Sequence, residues 1–267
     1  MDSTKTNELG LFSIDEKILW LFFIIALALF SCDMNDESDE FTGITGTINS
    51  LPFLPESHEY ALWLEENQNI RLVSSFLPDN SGIFRLATAP QSQIIEDTDD
   101  MFVTIEEEGS GYTDPSIYEI AGASFGSRDN ATVSSFPIAS DFSTLSASIN
   151  ITSTNPSLIS FENEMGESLL NMPSLNDGWH YTVWFEKNGT ETPLLSFQNT
   201  VGVIEVVASE EINEGTIRIG IESDLFDVSM GSLGMYILSY TSDGSEGQKE
   251  LAISLDNLPN GIINKER

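Results

Sequence analysis

The stretch Leu51–Asn67, LPFLPESHEYALWLEEN, returns as Met172–Asn188, MPSLNDGWHYTVWFEKN. Without a gap, Pro52, Leu54, Tyr60, Trp63, Glu65 and Asn67 fall on Pro173, Leu175, Tyr181, Trp184, Glu186 and Asn188, an offset of 121 residues. The register runs on to Ser75 and Phe76 over Ser196 and Phe197, giving 8 identities in 26 pairs that include two of the four tryptophans. A match at fixed offset is the mark of one supersecondary unit used twice. A chain of 267 residues has room for about two domains of ordinary size, in agreement with that spacing.

Around the repeat the apolar period is two. Tyr60, Leu62 and Leu64 alternate with Ala61, Trp63 and Glu65, and Ile217, Ile219 and Ile221 line one face of 216–222. Further strands are expected at 44–48, 70–76, 83–87, 101–106, 117–121, 145–151, 158–161, 194–197, 201–207, 234–240 and 250–255. They are parted by turn signals such as PDNSG at 78–82 and Asn188-Gly189. No segment after Cys32 sustains a helical stripe. The expectation is an all-β chain of two tandem β-sandwich units, 43–127 and 142–256, joined by a linker at 128–141 and followed by a C-terminal tail at 257–267.

The start of the chain points to an address. Ile18–Phe30, ILWLFFIIALALF, is 13 apolar residues after Lys17, shorter than the ~20 a span needs and the length of a secretory signal core. Leu29-Phe30-Ser31-Cys32 then resembles the bacterial lipobox, and Cys32 is the chain's one cysteine. That resemblance implies a signal peptide over 1–31, cleavage after Ser31, and acyl chains (palmitate among them) on Cys32. Each buried methylene of such chains contributes about 0.8 kcal/mol to anchoring. The n-region carries Asp2, Glu8, Asp15 and Glu16 against Lys5 and Lys17, so it lacks the usual positive charge. Residues 32–42 follow as an acidic tether, DMNDESDE being its core. The implied location is the cell envelope, lipid-anchored to the outer membrane on its periplasmic or its outer side.

Composition bounds the partners. With 43 Asp and Glu against 10 Lys and Arg, the net charge of −33 repels phosphate backbones, so no nucleic-acid partner is expected. A single cysteine excludes internal disulfides and cysteine-based metal sites.

Tyr60-Ala-Leu-Trp63-Leu, Ser75-Phe76, Phe102-Val-Thr-Ile-Glu106 with Gly109, Gly111 and Pro115, and Ala121-Gly122 together resemble the extracytoplasmic C-terminal domain of anti-sigma-K factors. Phe125, Asp141-Phe142-Ser143 and Leu169–Phe185 resemble the linker and second unit of envelope proteins that carry two such domains. Glu107 stands where the family has Pro, and the second copy ends Gly220-Ile-Glu222-Ser223 without the family's glycines. The family's sigma-binding domain and membrane span have no counterpart here. The resemblance therefore implies a sensor-side module with no direct sigma-factor binding.

Candidate chemistry is sparse. Gly122-Ala-Ser124-Phe-Gly126 matches the serine-hydrolase elbow, which needs a strand-to-helix turn and a downstream His after an acid. No helical pattern follows, and the one downstream histidine, His180, lies in a strand of the other unit. His58 and His180 do not align in the repeat, which argues against a paired metal or acid–base site. Asp97, Asp99, Asp100 and Glu106–Glu108 could gather oxygens for Ca²⁺, yet their spacing is not that of an EF-hand. No catalytic residue, metal ligand or cofactor is expected. Trp63, Trp184, Tyr60 and Tyr181 have two readings, as a binding face for a sugar or apolar partner or as core-closing aromatics of a sandwich. The function expected is a non-catalytic envelope protein acting through an unknown protein or glycan partner or as a structural module. A glycan- or polymer-binding accessory lipoprotein is the alternative, and a serine hydrolase the least supported reading.

Overall fold

The computed structural model describes residues 41–88, 95, 98–135, 142–154, 157–198, 205–208 and 215–267. The signal peptide, Cys32 and the acidic run expected at 33–40 lie outside them. Period-two alternation becomes strand throughout, and the chain is all-β. The first half supplies β1 Gly43–Asn49, β2 His58–Glu66, β3 Asn69–Phe76, β4 Phe84–Thr88, β5 Asp100–Glu107, β6 Glu119–Ser124 and β7 Asn130–Ser135. The second supplies β8 Ser146–Thr154, β9 Ser157–Ser160, β10 Leu170–Asn171, β11 Trp179–Lys187, β12 Thr190–Phe197, β13 Glu205–Ala208, β14 Thr216–Ser223, β15 Tyr236–Thr241, β16 Gly247–Glu250 and β17 Ala252–Ile253, and β18 Asn260–Glu266 ends the chain. Among the described residues no helix is long and apolar enough to cross a membrane.

The repeated stretch is the second strand of a four-stranded antiparallel run that occurs twice, as β3-β2-β5-β6 and as β12-β11-β14-β15. The two agree in register. Tyr60 pairs with Phe76 and Ile105 where Tyr181 pairs with Phe197 and Ile221. Irregularities fall at matching places, between Leu62 and Trp63 as between Val183 and Trp184, and between Val103 and Thr104 as between Ile219 and Gly220. Asn67 and Gln68 turn the first hairpin at positive φ, 48° and 69°, and Asn188 and Gly189 turn the second at 55° and 77°. Asn and Gly meet that need without a steric penalty, and Gln68 meets it at some cost.

The aromatic positions match too. Tyr60 and Tyr181 are fully buried, and each hydroxyl donates over 2.7 Å to the carbonyl eight residues upstream, Pro52 and Pro173 respectively. Their rings lie 5.5 Å from Phe76 and 5.4 Å from Phe197, at nearly the same tilt. Each tyrosine thus ties the Pro-led entry segment to the strand it precedes. Burial of these rings, with Trp63 and Trp184, accounts for much of the apolar driving force in each half.

Two expectations need correction. The presumed linker, 128–141, holds β7, which pairs with β6 and so belongs to the first sheet. The presumed tail, 257–267, holds β18, which lies inside that sheet between β1 and β7. The first sheet therefore runs β3-β2-β5-β6-β7-β18-β1-β4, and residues 41–267 form one compact unit. The tail reading failed because NGIINKE carries only two apolar residues, and its inward face is Gly261, Ile263 and Lys265. A lysine whose ammonium meets a carbonyl and the faces of two aromatic rings fills an inward position that a hydropathy pattern counts as polar.

Candidate functional site

The four aromatics proposed for binding are the natural starting point. Trp63, Trp184, Tyr60 and Tyr181 are each 0% exposed, so none of them offers a face to a sugar or a partner. Tyr60 and Tyr181 belong to the main hydrophobic core, whereas Trp63 and Trp184 are buried outside it, Trp63 beside the Tyr112 ring. The Trp63 indole donates to Thr104 Oγ1 over 2.8 Å, and that hydroxyl donates in turn to Glu106.

Glu106 and its counterpart Glu222 are buried carboxylates with structural work. Glu106 accepts from the Ser116 backbone N–H at 2.9 Å. Glu222 accepts from the Ser232 hydroxyl at 2.6 Å and the Leu233 N–H at 2.9 Å. Both pairs pin the loop that returns from β5 or β14 to the next strand. Burial pushes Glu222 up to about 7, against the pull of those bonds and of the Trp184 indole. Glu106, expected among the acids of a calcium loop, is thus turned inward. Among the described residues no group of three or more acidic, His or Cys side chains is arranged to hold a metal.

Ser124 of the elbow-like motif ends β6 and lines an open cleft of about 500 Å³ with Glu65, Ile70, Asp100, Phe102 and Glu119. Neither histidine reaches this cleft's lining. Strand β6 leads into a turn at Gly126 and then β7, with no helix to form a nucleophile elbow. Glu119 is pushed up to about 7 by burial and by the negative charges of Asp100 and Glu65.

The corresponding place in the second half is built differently. Arg218 occupies the position of Phe102, judged by its pairing with Trp184 where Phe102 pairs with Trp63. Its guanidinium reaches Glu186 at 2.6 Å and Glu191 at 3.3 Å and lies 4.9 Å from the Tyr236 ring centroid. Glu186 is the counterpart of Glu65, and Tyr236 that of Glu119. One half thus closes its carboxylates with an internal cation, whereas the other sets a phenyl ring there and leaves three acids together. The ungapped match in the sequence stops before these positions and carries no signal for Glu119 or Arg218.

The two histidines sit beside one loop. His180 Nδ1 is 2.6 Å from Asp224 Oδ1, and both line a shallow cavity of about 640 Å³ with Phe197, Phe226 and Val228. His58 meets the edge of the Phe226 ring, with centroids 4.8 Å apart. Among the described residues no nucleophile and acid are joined to either histidine in an order that a hydrolase would use.

No protein-family model, no curated protein and no solved structure matches this chain.

Proposed function

We propose that this protein is a non-catalytic, lipid-anchored protein of the bacterial cell envelope that works through binding or as a structural module. The observation that supports this reading most is the use to which the reactive side chains are put. Buried Glu106 and Glu222 brace loops, the repeated tyrosines and tryptophans are wholly buried, and Ser124 stands apart from both histidines. The anchor rests on the apolar run Ile18–Phe30 followed by Leu29-Phe30-Ser31-Cys32. The sensor side of anti-sigma-K factors is the proposed relationship, supported by the motifs at Tyr60–Leu64, Phe102–Glu106 and Ala121-Gly122. The partner is then an envelope protein rather than a sigma factor.

Metabolic labelling of whole cells with an alkyne palmitate analogue tests the anchor, comparing wild type with Cys32→Ser. Label on the wild type alone is the expected result, and equal label on both, or none on either, overturns it. Protease shaving of intact cells in the same cultures assigns the side of the membrane. A glycan-binding role would need exposed rings on a sheet face, and burial of the repeated aromatics weakens that alternative.

A further inference from the structure

The two halves match in strand order beyond the four-stranded run, with one difference in origin. The first half continues β7-β18-β1-β4, and the second has β16-β8-β9-β13 in the same antiparallel sense. In the second, β8 and β9 are consecutive and two residues apart, so that half makes the whole run from its own sequence. In the first, β8's place is taken by β18, the last strand of the chain, more than 200 residues from β1. The slot between β1 and β7 is filled from elsewhere.

The fit of that strand is specific. β18 makes seven pairs with β1, Gly43–Asn49 against Glu266–Asn260, and four with β7, Asn130–Val133 against Asn264–Gly261. Its backbone groups are therefore spent on both sides, the arrangement of strand addition into a sheet. A Cβ at Gly261 would stand 1.9 Å from the Thr47 carbonyl oxygen, so only glycine is admitted there at this register. Ile263 is fully buried, and the Lys265 ammonium donates to the Thr98 carbonyl at 2.7 Å while lying 5.0 Å from the Phe125 ring centroid. Arg267 reaches Asp129 at 3.2 Å and lies over the Phe41 ring. Thus the slot reads glycine, isoleucine and lysine at alternate positions, with an arginine at the end. Lys265 and Arg267 are two of only ten cations in a chain of net charge −33.

We propose that the slot between β1 and β7 is an exchangeable strand-binding site whose ligand, besides the chain's own C-terminal strand, is the same strand of a second copy. The sequence that satisfies the slot is this chain's own, and residues 254–257, between β17 and β18, are exposed and would serve as the hinge. Each contact made within one copy is made identically between two, so the choice rests on effective concentration, about millimolar for a short tether. Each copy has one slot and one strand, so exchange either is reciprocal and closes into a dimer or runs head to tail into longer chains. The inference does not depend on the lipid anchor.

The test uses the full chain in mild detergent with a protease site inserted between Asp256 and Asn257. After folding and nicking, a fluorescent peptide of residues 259–267 is added. It is expected to enter the slot, and peptides carrying Gly261→Val or Lys265→Glu to bind at least about tenfold more weakly. A native peptide that never enters, or that binds no better than the two variants, overturns the site. The uncut chain is then refolded at roughly 1 mM and at roughly 1 µM and sized by light scattering. Oligomers at the higher concentration alone, suppressed by excess native peptide, are expected. Monomers at both, or oligomers indifferent to the peptide, overturn the second copy as ligand.

Discussion

Replacing Tyr60 and Tyr181 by Phe, singly and together, tests whether the two halves share one plan in energy as well as in register. The change keeps each ring and its stacking and removes only a buried hydroxyl that donates over 2.7 Å to a proline carbonyl. A hydrogen bond of this kind contributes about 1 kcal/mol net, and an acceptor left unpaired in a buried place costs about 1–3 kcal/mol. Pro52 and Pro173 are themselves buried, so water reaches neither carbonyl easily. Each single variant is expected to lose about 1.5 kcal/mol and the double variant about 3 kcal/mol, the two sites sharing no partner. For a chain of this size that is a fall in Tm of about 3–6 °C per site. Urea unfolding followed by fluorescence of the buried tryptophans measures it, with an unchanged m value as the sign that only stability moved. Equal losses support the duplicated tie. A loss at one tyrosine with none at the other, or none at either, refutes the claim that the hydroxyls do equivalent work.

Trp63→Ala and Trp184→Ala should each cost about 3–5 kcal/mol in the same assay, since both rings are wholly buried, and unchanged stability would place the ring at the surface after all. The pH dependence follows from Glu222, whose carboxyl stands at about 7 in the fold against an ordinary 4.5. Between those values the folded state holds a proton that the unfolded chain has released. Stability is therefore greatest below the lower value and falls as pH rises towards the upper, by at most about 1.4 kcal/mol per pH unit. Melting curves from pH 4.5 to 8 should show that decline, with Glu119, also raised to about 7, adding to it, and Glu222→Gln should lessen it; an unaltered slope would remove Glu222 as a source. Arg218→Met should cost about 1 kcal/mol at low salt and less at high salt, because two partly exposed carboxylates lose the cation they share.

Strand type was legible because one face of each sheet is buried, which forces alternation into residues such as Ile217, Ile219 and Ile221. The hairpin at Asn188-Gly189 was legible for the same local reason, the chain needing positive φ where those residues sit. The repeat was legible only in part. From β2 to β3 the offset is 121, but β5 and β14 are offset by 116, the whole stretch from β12 to β14 being five residues shorter than that from β3 to β5. A gapless comparison ends at Phe76, and with it went Glu106 over Glu222 and the exchange of Phe102 for Arg218. Strand β7 was hidden by Ser and Thr, which alternate without hydrophobic contrast, and β18 by its glycine and its buried lysine.

What the duplicated plan leaves unequal is the more informative part. Copies of one unit need only the same inward residues to keep the same sheet, so Tyr, Trp and the loop-bracing glutamate persist on both sides. Positions on the rim carry no such demand, and there the halves part, one holding Arg218 among carboxylates and the other Phe102 beside Glu119. The strand that completes each half also differs, local in the second and C-terminal in the first. This makes the first half depend on the arrival of β18, which pairs with β1 on one side and β7 on the other.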